Sequence, residues 1–112
     1  MKSTHLFDEK KMALFPGVDA QIFAGDGVMV MHVQLEHGAI AASHSHRHEQ
    51  ISVLLHGKAE FTIGDEVATY HSGDVVLIPG NIVHSVKAIE ACELIEVFTP
   101  VREDLMARYE NV

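Results

Sequence analysis

His44, His46, His48 and Gln50 occupy alternate positions in the stretch "HSHRHEQ", immediately before the apolar run "ISVLL". Successive side chains of an extended strand point to opposite faces, so these four would share one face and Glu49 would take the other. Imidazole nitrogens and an amide oxygen are donors that suit divalent transition metals. His84 follows the corner "PGN" at the start of another apolar segment. Three imidazoles and one side-chain oxygen converging inside a barrel would hold such an ion with coordination positions left open. The competing reading is a set of solvated surface histidines, because nine in one chain cluster more readily by chance. His48 is either an outer neighbour of the site or a residue of the loop before the strand. His5, His32, His37, His56 and His71 lack such companions and are expected to be solvated or capping residues.

Short segments must position these groups. "AQIFA", "VMVMHVQLE", "ISVLLH", "AEFTI", "VATYH", "VVLIP", "IVHSVKA" and "CELIEVF" are rich in β-branched and aromatic residues and are separated by turn residues. "IGDEV" predicts a two-residue Gly-Asp hairpin turn, and Gly57, Gly73 and the corner Pro79-Gly80-Asn81 punctuate the rest. Only "VREDLMARYE", after Pro100, reads as a helix, with acidic residues in its first turn and Arg108 in its last. The pattern predicts an all-β domain, a closed barrel or a sandwich whose interior can hold a small ligand.

A chain of 112 residues suits one domain, and 47% hydrophobic with 21% charged residues is an ordinary globular composition. Acidic residues outnumber basic ones 16 to 8 without a basic cluster, which would repel a phosphate backbone, so nucleic acid is excluded as an expected partner. No run approaches a membrane span, the single Cys92 has no partner for an intrachain disulfide, and "MKSTHLFDEKKMALF" lacks the apolar core of a signal peptide. These features predict a soluble, cytoplasmic protein. A homodimer is expected, as for many small barrels.

Residues 38–57, "GAIAASHSHRHEQISVLLHG", resemble the first motif of the cupins, G-x5-H-x-H-x3-E-x6-G, with Gly38, His44, His46 and Gly57 in place and Gln50 where the glutamate usually stands. Residues 73–84, "GDVVLIPGNIVH", resemble the second, G-x5-P-x-G-x2-H, with Gly73, Pro79 and His84 matching and Asn81 in place of the last glycine. The resemblance implies a single cupin domain over residues 1–112: a small jelly-roll-like β-barrel with a short C-terminal helix. It also implies one divalent transition metal held by His44, His46, Gln50 and His84. Nickel, zinc, manganese, iron and cobalt all suit that donor set.

A narrower resemblance joins "LEHGAIAASHSHRHEQ" and the ending "LIEVFTPVREDL" to the pectin-degradation cupins, which convert 4,5-unsaturated uronates into linear 4-deoxy-5-keto uronates. Their ending reads roughly "DVFSPxRED", and the matching positions here are Glu96, Phe98 and Arg102. The implied roles are acid/base catalysis for Glu96 and a substrate wall for Phe98, which share a strand face; the plain alternatives are a solvated carboxylate and a core aromatic. Arg102 is implied as a second catalytic group that forks onto a carboxylate, or else it pairs with Glu103 or Asp104. A neutral Gln50 leaves the metal charge uncompensated, which favours a small anionic sugar or another anionic small molecule. An iron-dependent dioxygenase, a non-catalytic sugar-binding or anion-binding module, and a purely structural barrel are the other classes the motifs accommodate.

Overall fold

The computed structural model describes all residues 1–112. Ten strands follow a single 3-10 turn at Leu6–Asp8: β1 (Met12–Phe15), β2 (Val18–Ala24), β3 (Met29–Leu35), β4 (Ile40–His44), β5 (Glu49–His56), β6 (Lys58–Ile63), β7 (Glu66–His71), β8 (Val75–Ile78), β9 (His84–Ala88) and β10 (Cys92–Thr99), before helix α1 (Glu103–Glu110). They form two antiparallel sheets, one of six strands in the order β1-β2-β3-β10-β5-β8 and one of four in the order β4-β9-β6-β7. The expected all-β barrel with one short C-terminal helix is therefore present. No helix is long and apolar enough to cross a membrane.

Alternation decides which side chains fill the space between the sheets. On β5, Gln50, Ser52 and Leu54 are buried while Glu49, Ile51 and Leu55 are exposed. On β10, Cys92, Leu94 and Phe98 are buried. Met29, Met31, Phe61 and Ile78 join them in the core, each nearly fully buried. Burying a side chain of this size contributes roughly 1.5–3 kcal/mol each, which gives the two sheets a firm apolar contact.

Turn chemistry fixes the registers. Ile63 pairs with Glu66 across the predicted Gly64-Asp65 turn, and Gly64 has the positive φ that such hairpins use. Gly80 is demanded by close approach: a Cβ there would collide with the carbonyl oxygen of Arg47. The next residue, Asn81, has φ 66°, and its N–H donates to His46 O at 2.7 Å. The corner after β8 thus clamps the loop that carries His46.

Three sequence expectations need correction. Strands β1 and β4 are not among the predicted segments, because "MALF" and "IAASH" are too short and too weakly β-forming to stand out. The histidine run is not one extended strand: His44 ends β4, residues 45–48 turn, and Glu49 begins β5 in the other sheet. His32 is neither solvated nor a cap; it is 3% exposed on the outer face of β3. The N-terminal turn covers it. Phe7 meets the imidazole edge-on with ring centres 4.6 Å apart, and Gln21 Nε2 donates to Phe7 O and Glu9 O. With its N–H groups so committed, Gln21 turns its Oε1 to His32 Nδ1 at 2.7 Å, and Glu93 Oε2 faces the other ring nitrogen at 3.2 Å.

Candidate metal centre

The site lies where the two sheets face each other. His44 and His84 are register partners on β4 and β9 of the smaller sheet, with an irregularity between Ala41 and His44 that shifts the pairing. Gln50 and Phe98 are register partners on β5 and β10 of the larger sheet, as are Ser52 and Glu96. His46 comes from the turn between the sheets. One ring nitrogen from each of His44, His46 and His84 lies within 4.8 Å of the others.

Backbone carbonyls set the tautomers. His44 Nδ1 is 2.7 Å from Ala42 O, His46 Nδ1 is 3.1 Å from His48 O, and His84 Nδ1 is 2.9 Å from Ile82 O. A carbonyl only accepts, so each Nδ1 carries a hydrogen and, in the neutral ring, each Nε2 keeps its lone pair. Burial, chiefly, lowers the pKa of His46 to about 4, with Arg102, His84 and His44 adding repulsion; burial likewise lowers that of His84. His46 is therefore neutral at pH 7. Its bare Nε2 nevertheless stands 3.1 Å from Gln50 Oε1, another acceptor, and the buried Nε2 of His84 has no partner. Buried acceptors left facing one another are costly unless something positive satisfies them. A divalent cation does so, and the donor set of three imidazoles and an amide oxygen fits one.

Lowered histidine pKa values have a consequence for the metal-free protein. A histidine at 6.5 when unfolded and about 4 when folded takes up its proton in the unfolded chain first, so stability is lost as pH falls from 6.5 toward 4. We expect chelator-treated wild type to lose stability over that window relative to His46→Gln, measured by denaturant melts at several pH values. Parallel curves for the two proteins would contradict the burial of a neutral His46.

Beside His44 and His84 lies a cavity of about 180 Å³. Apolar side chains, including Met31, Val33, Leu94, Val86 and Phe98, line most of it, and His44, Gln50, His84, Glu96, Arg102, Asp104 and Arg108 supply its polar side. Glu96 accepts from Ser52 Oγ at 2.6 Å and from Gln50 Nε2. Burial raises its pKa, against the lowering effects of those two hydrogen bonds and of Arg102. It is not a solvated strand carboxylate.

Arg102 takes the pairing alternative. Its Nε and Nη2 donate to the two carboxylate oxygens of Asp104 at 3.3 and 2.8 Å, while the guanidinium sits over the Phe98 ring, 5.3 Å from its centre. That pairing holds the Asp104 carboxyl below its ordinary range. Both residues still line the cavity, so the ion pair forms part of the wall that a ligand meets.

His48 is a neighbour of the centre rather than a member of the three-histidine group. Its carbonyl orients His46, its ring is buried 5.5 Å from that of His46, and Nε2 faces Glu103 Oε2 at 3.5 Å. Arg47 also reaches Glu103, at 3.1 Å. The first turn of α1 is thereby tied to the loop that carries His46. Sequence reasoning missed this tie and missed Ser52, whose even position on the inward face of an apolar strand was the available signal.

Glu49 is exposed on the opposite face of β5. Gln50→Ala should therefore lower metal content strongly and Glu49→Ala should leave it nearly intact. Elemental analysis of the two purified variants checks this, and loss of metal from Glu49→Ala would overturn the assignment of Gln50.

Two sheets, the histidines between them and the motif spacing define a cupin. The cupin domain model matches residues 31–98, and the chain belongs to that family. Among solved structures, it is similar to an RmlC-like cupin from Shewanella frigidimarina NCIMB 400, with a TM-score of 0.85 and 22% identity over 91% of this chain and 93% of that one. It is similar also to KdgF from Halomonas sp., with a TM-score of 0.82 and 26% identity over 88% and 93% of the respective chains. Among curated proteins, it is 33% identical over 95 residues to mannose-1-phosphate guanylyltransferase of Salmonella muenchen. That match takes in 80% of this chain but 20% of the relative, so the chain spans about a fifth of that protein's length.

Proposed function

We propose that this cupin is a metal-dependent enzyme that opens 4,5-unsaturated uronate monosaccharides and yields linear 4-deoxy-5-keto uronates. The observation that carries the reading is the placement of Glu96, a carboxylate on the cavity wall whose pKa is raised by burial, hydrogen-bonded to the same Gln50 whose oxygen faces His46. The similarity to KdgF and the likeness of "LIEVFTPVRED" to the ending of the uronate-converting cupins support it.

His44, His46, His84 and Gln50 would hold the ion. A bound divalent metal would supply Lewis-acid stabilisation of the negative charge that develops on the ring oxygen. Glu96 accepts the proton of the anomeric hydroxyl as the bond between C1 and the ring oxygen breaks. The carbonyl forms at C1, and the electron pair of the broken bond passes to the enolate at C5. Glu96 then returns its proton to C4, which leaves the ketone at C5 and regenerates the carboxylate. No atom is gained or lost. Phe98 gives the sugar a flat apolar wall, and the Arg102–Asp104 pair presents cationic and anionic edges to its oxygens.

The test is the loss of ultraviolet absorbance of an unsaturated galacturonate or mannuronate monomer. Metal-loaded protein should accelerate that loss over both a no-enzyme control and a chelator-treated sample. No acceleration with any of several divalent metals would reject the uronate reading.

A further inference from the structure

Ser52 has no part in holding a metal or a substrate, yet it is a hydroxyl with no exposure at all on the inward face of β5. It lies two residues beyond Gln50 and opposite Glu96. Its Oγ donates to Glu96 Oε2 at 2.6 Å and accepts from Gln50 Nε2 at 3.0 Å, while Gln50 Nε2 also donates to that same carboxylate oxygen. The three side chains close a triangle of hydrogen bonds.

An amide has a donor end and an acceptor end, and a half-turn about its last bond exchanges them at little cost. The Glu96 carboxylate offers lone pairs only, so in this triangle Gln50 must turn its NH2 toward Glu96 and Ser52. Its oxygen then points the other way, to the bare Nε2 of His46. In the reversed orientation the NH2 would donate to His46 Nε2 and occupy the lone pair that a cation needs.

We propose that Ser52 and Glu96 are positioning residues that fix the Gln50 amide with its oxygen toward the histidines, which keeps a neutral oxygen ligand presented and the His46 lone pair free. The inference rests on the metal centre of the proposed function and is independent of the uronate chemistry. For Glu96 it is a second duty, separate from proton transfer. It also accounts for the buried serine in a strand whose other inward neighbour, Leu54, is apolar.

The experiment is calorimetric titration of the metal-free full chain with zinc. Ser52→Ala removes one side of the triangle and should weaken binding by about 10–100-fold, the range usual for groups that orient a metal ligand. Glu96→Leu, a change on a different strand, should do the same. Glu96→Gln should bind within about threefold of wild type, because its amide oxygen still accepts from Gln50. Most telling is the cycle with Gln50→Ala: if Ser52 acts through Gln50, then Ser52→Ala should cost nothing further once Gln50 is gone. Wild-type affinity in both Ser52→Ala and Glu96→Leu would overturn the proposal, as would an undiminished Ser52→Ala loss in the Gln50→Ala background. If Ser52→Ala fails to fold by circular dichroism, the same cycle run with Glu96→Leu decides. Failure of wild type to bind zinc, nickel, cobalt or manganese would remove the metal centre and this inference with it, whereas failure of the uronate assay alone would leave both standing.

Discussion

Glu96→Gln is expected to lower the rate of uronate ring opening by roughly 10²–10⁴-fold, the range for loss of a positioned general acid or base, while metal stays bound. The carboxylate sits on the cavity wall with Ser52 and Gln50 as its partners and with burial raising its pKa. A raised carboxyl pKa brings the group closer to neutrality, where it can both take and return a proton. Glutamine keeps the size and an acceptor oxygen but has no exchangeable acid. Glu96→Asp should be the milder change, because it keeps the carboxylate and restores the residue found in the ending that this sequence resembles. The measurement is the initial rate of absorbance loss at matched metal occupancy, with the uncatalysed opening subtracted. An unchanged rate in Glu96→Gln would assign the proton transfer elsewhere.

His84→Ala is expected to abolish metal binding at concentrations that saturate wild type, a larger loss than the 10–100-fold typical of removing an outer partner of a metal ligand. His84 is buried to 2% exposure, its Nδ1 is satisfied by Ile82 O, and its Nε2 has no protein partner. Truncating it removes an unsatisfied buried atom, so the metal-free barrel should still fold. His56→Ala is the control, since His56 is exposed and outside the histidine group. Elemental analysis and circular dichroism of the two variants separate the cases. Equal metal loss from both would mean general destabilisation and would defeat the assignment of His84.

Much of this molecule was legible in its residue order. The alternation in "ISVLLH" and "CELIEVF" and the turns at Gly64-Asp65 and Pro79-Gly80-Asn81 marked strands and corners, because period-two burial and turn stereochemistry are local properties. Two motifs at the right separation announced the cupin fold, and the histidines His44, His46 and His84 do come together.

Parity correctly placed Gln50 inward and Glu49 outward, because it works along one strand. It says nothing of where a chain leaves one sheet for another, so the run from His44 to Gln50 read as a single strand when it spans two sheets and the turn between them. Only tertiary structure decided that His44 faces His84 on β9, that Ser52 and Glu96 close on the Gln50 amide from strands 44 residues apart, and that Arg102 spends two donors on Asp104. His32 gave no sign of burial for the same reason: what covers it is the N-terminal turn, and docking of that turn is set by long-range hydrogen bonds to Gln21 rather than by any pattern around residue 32.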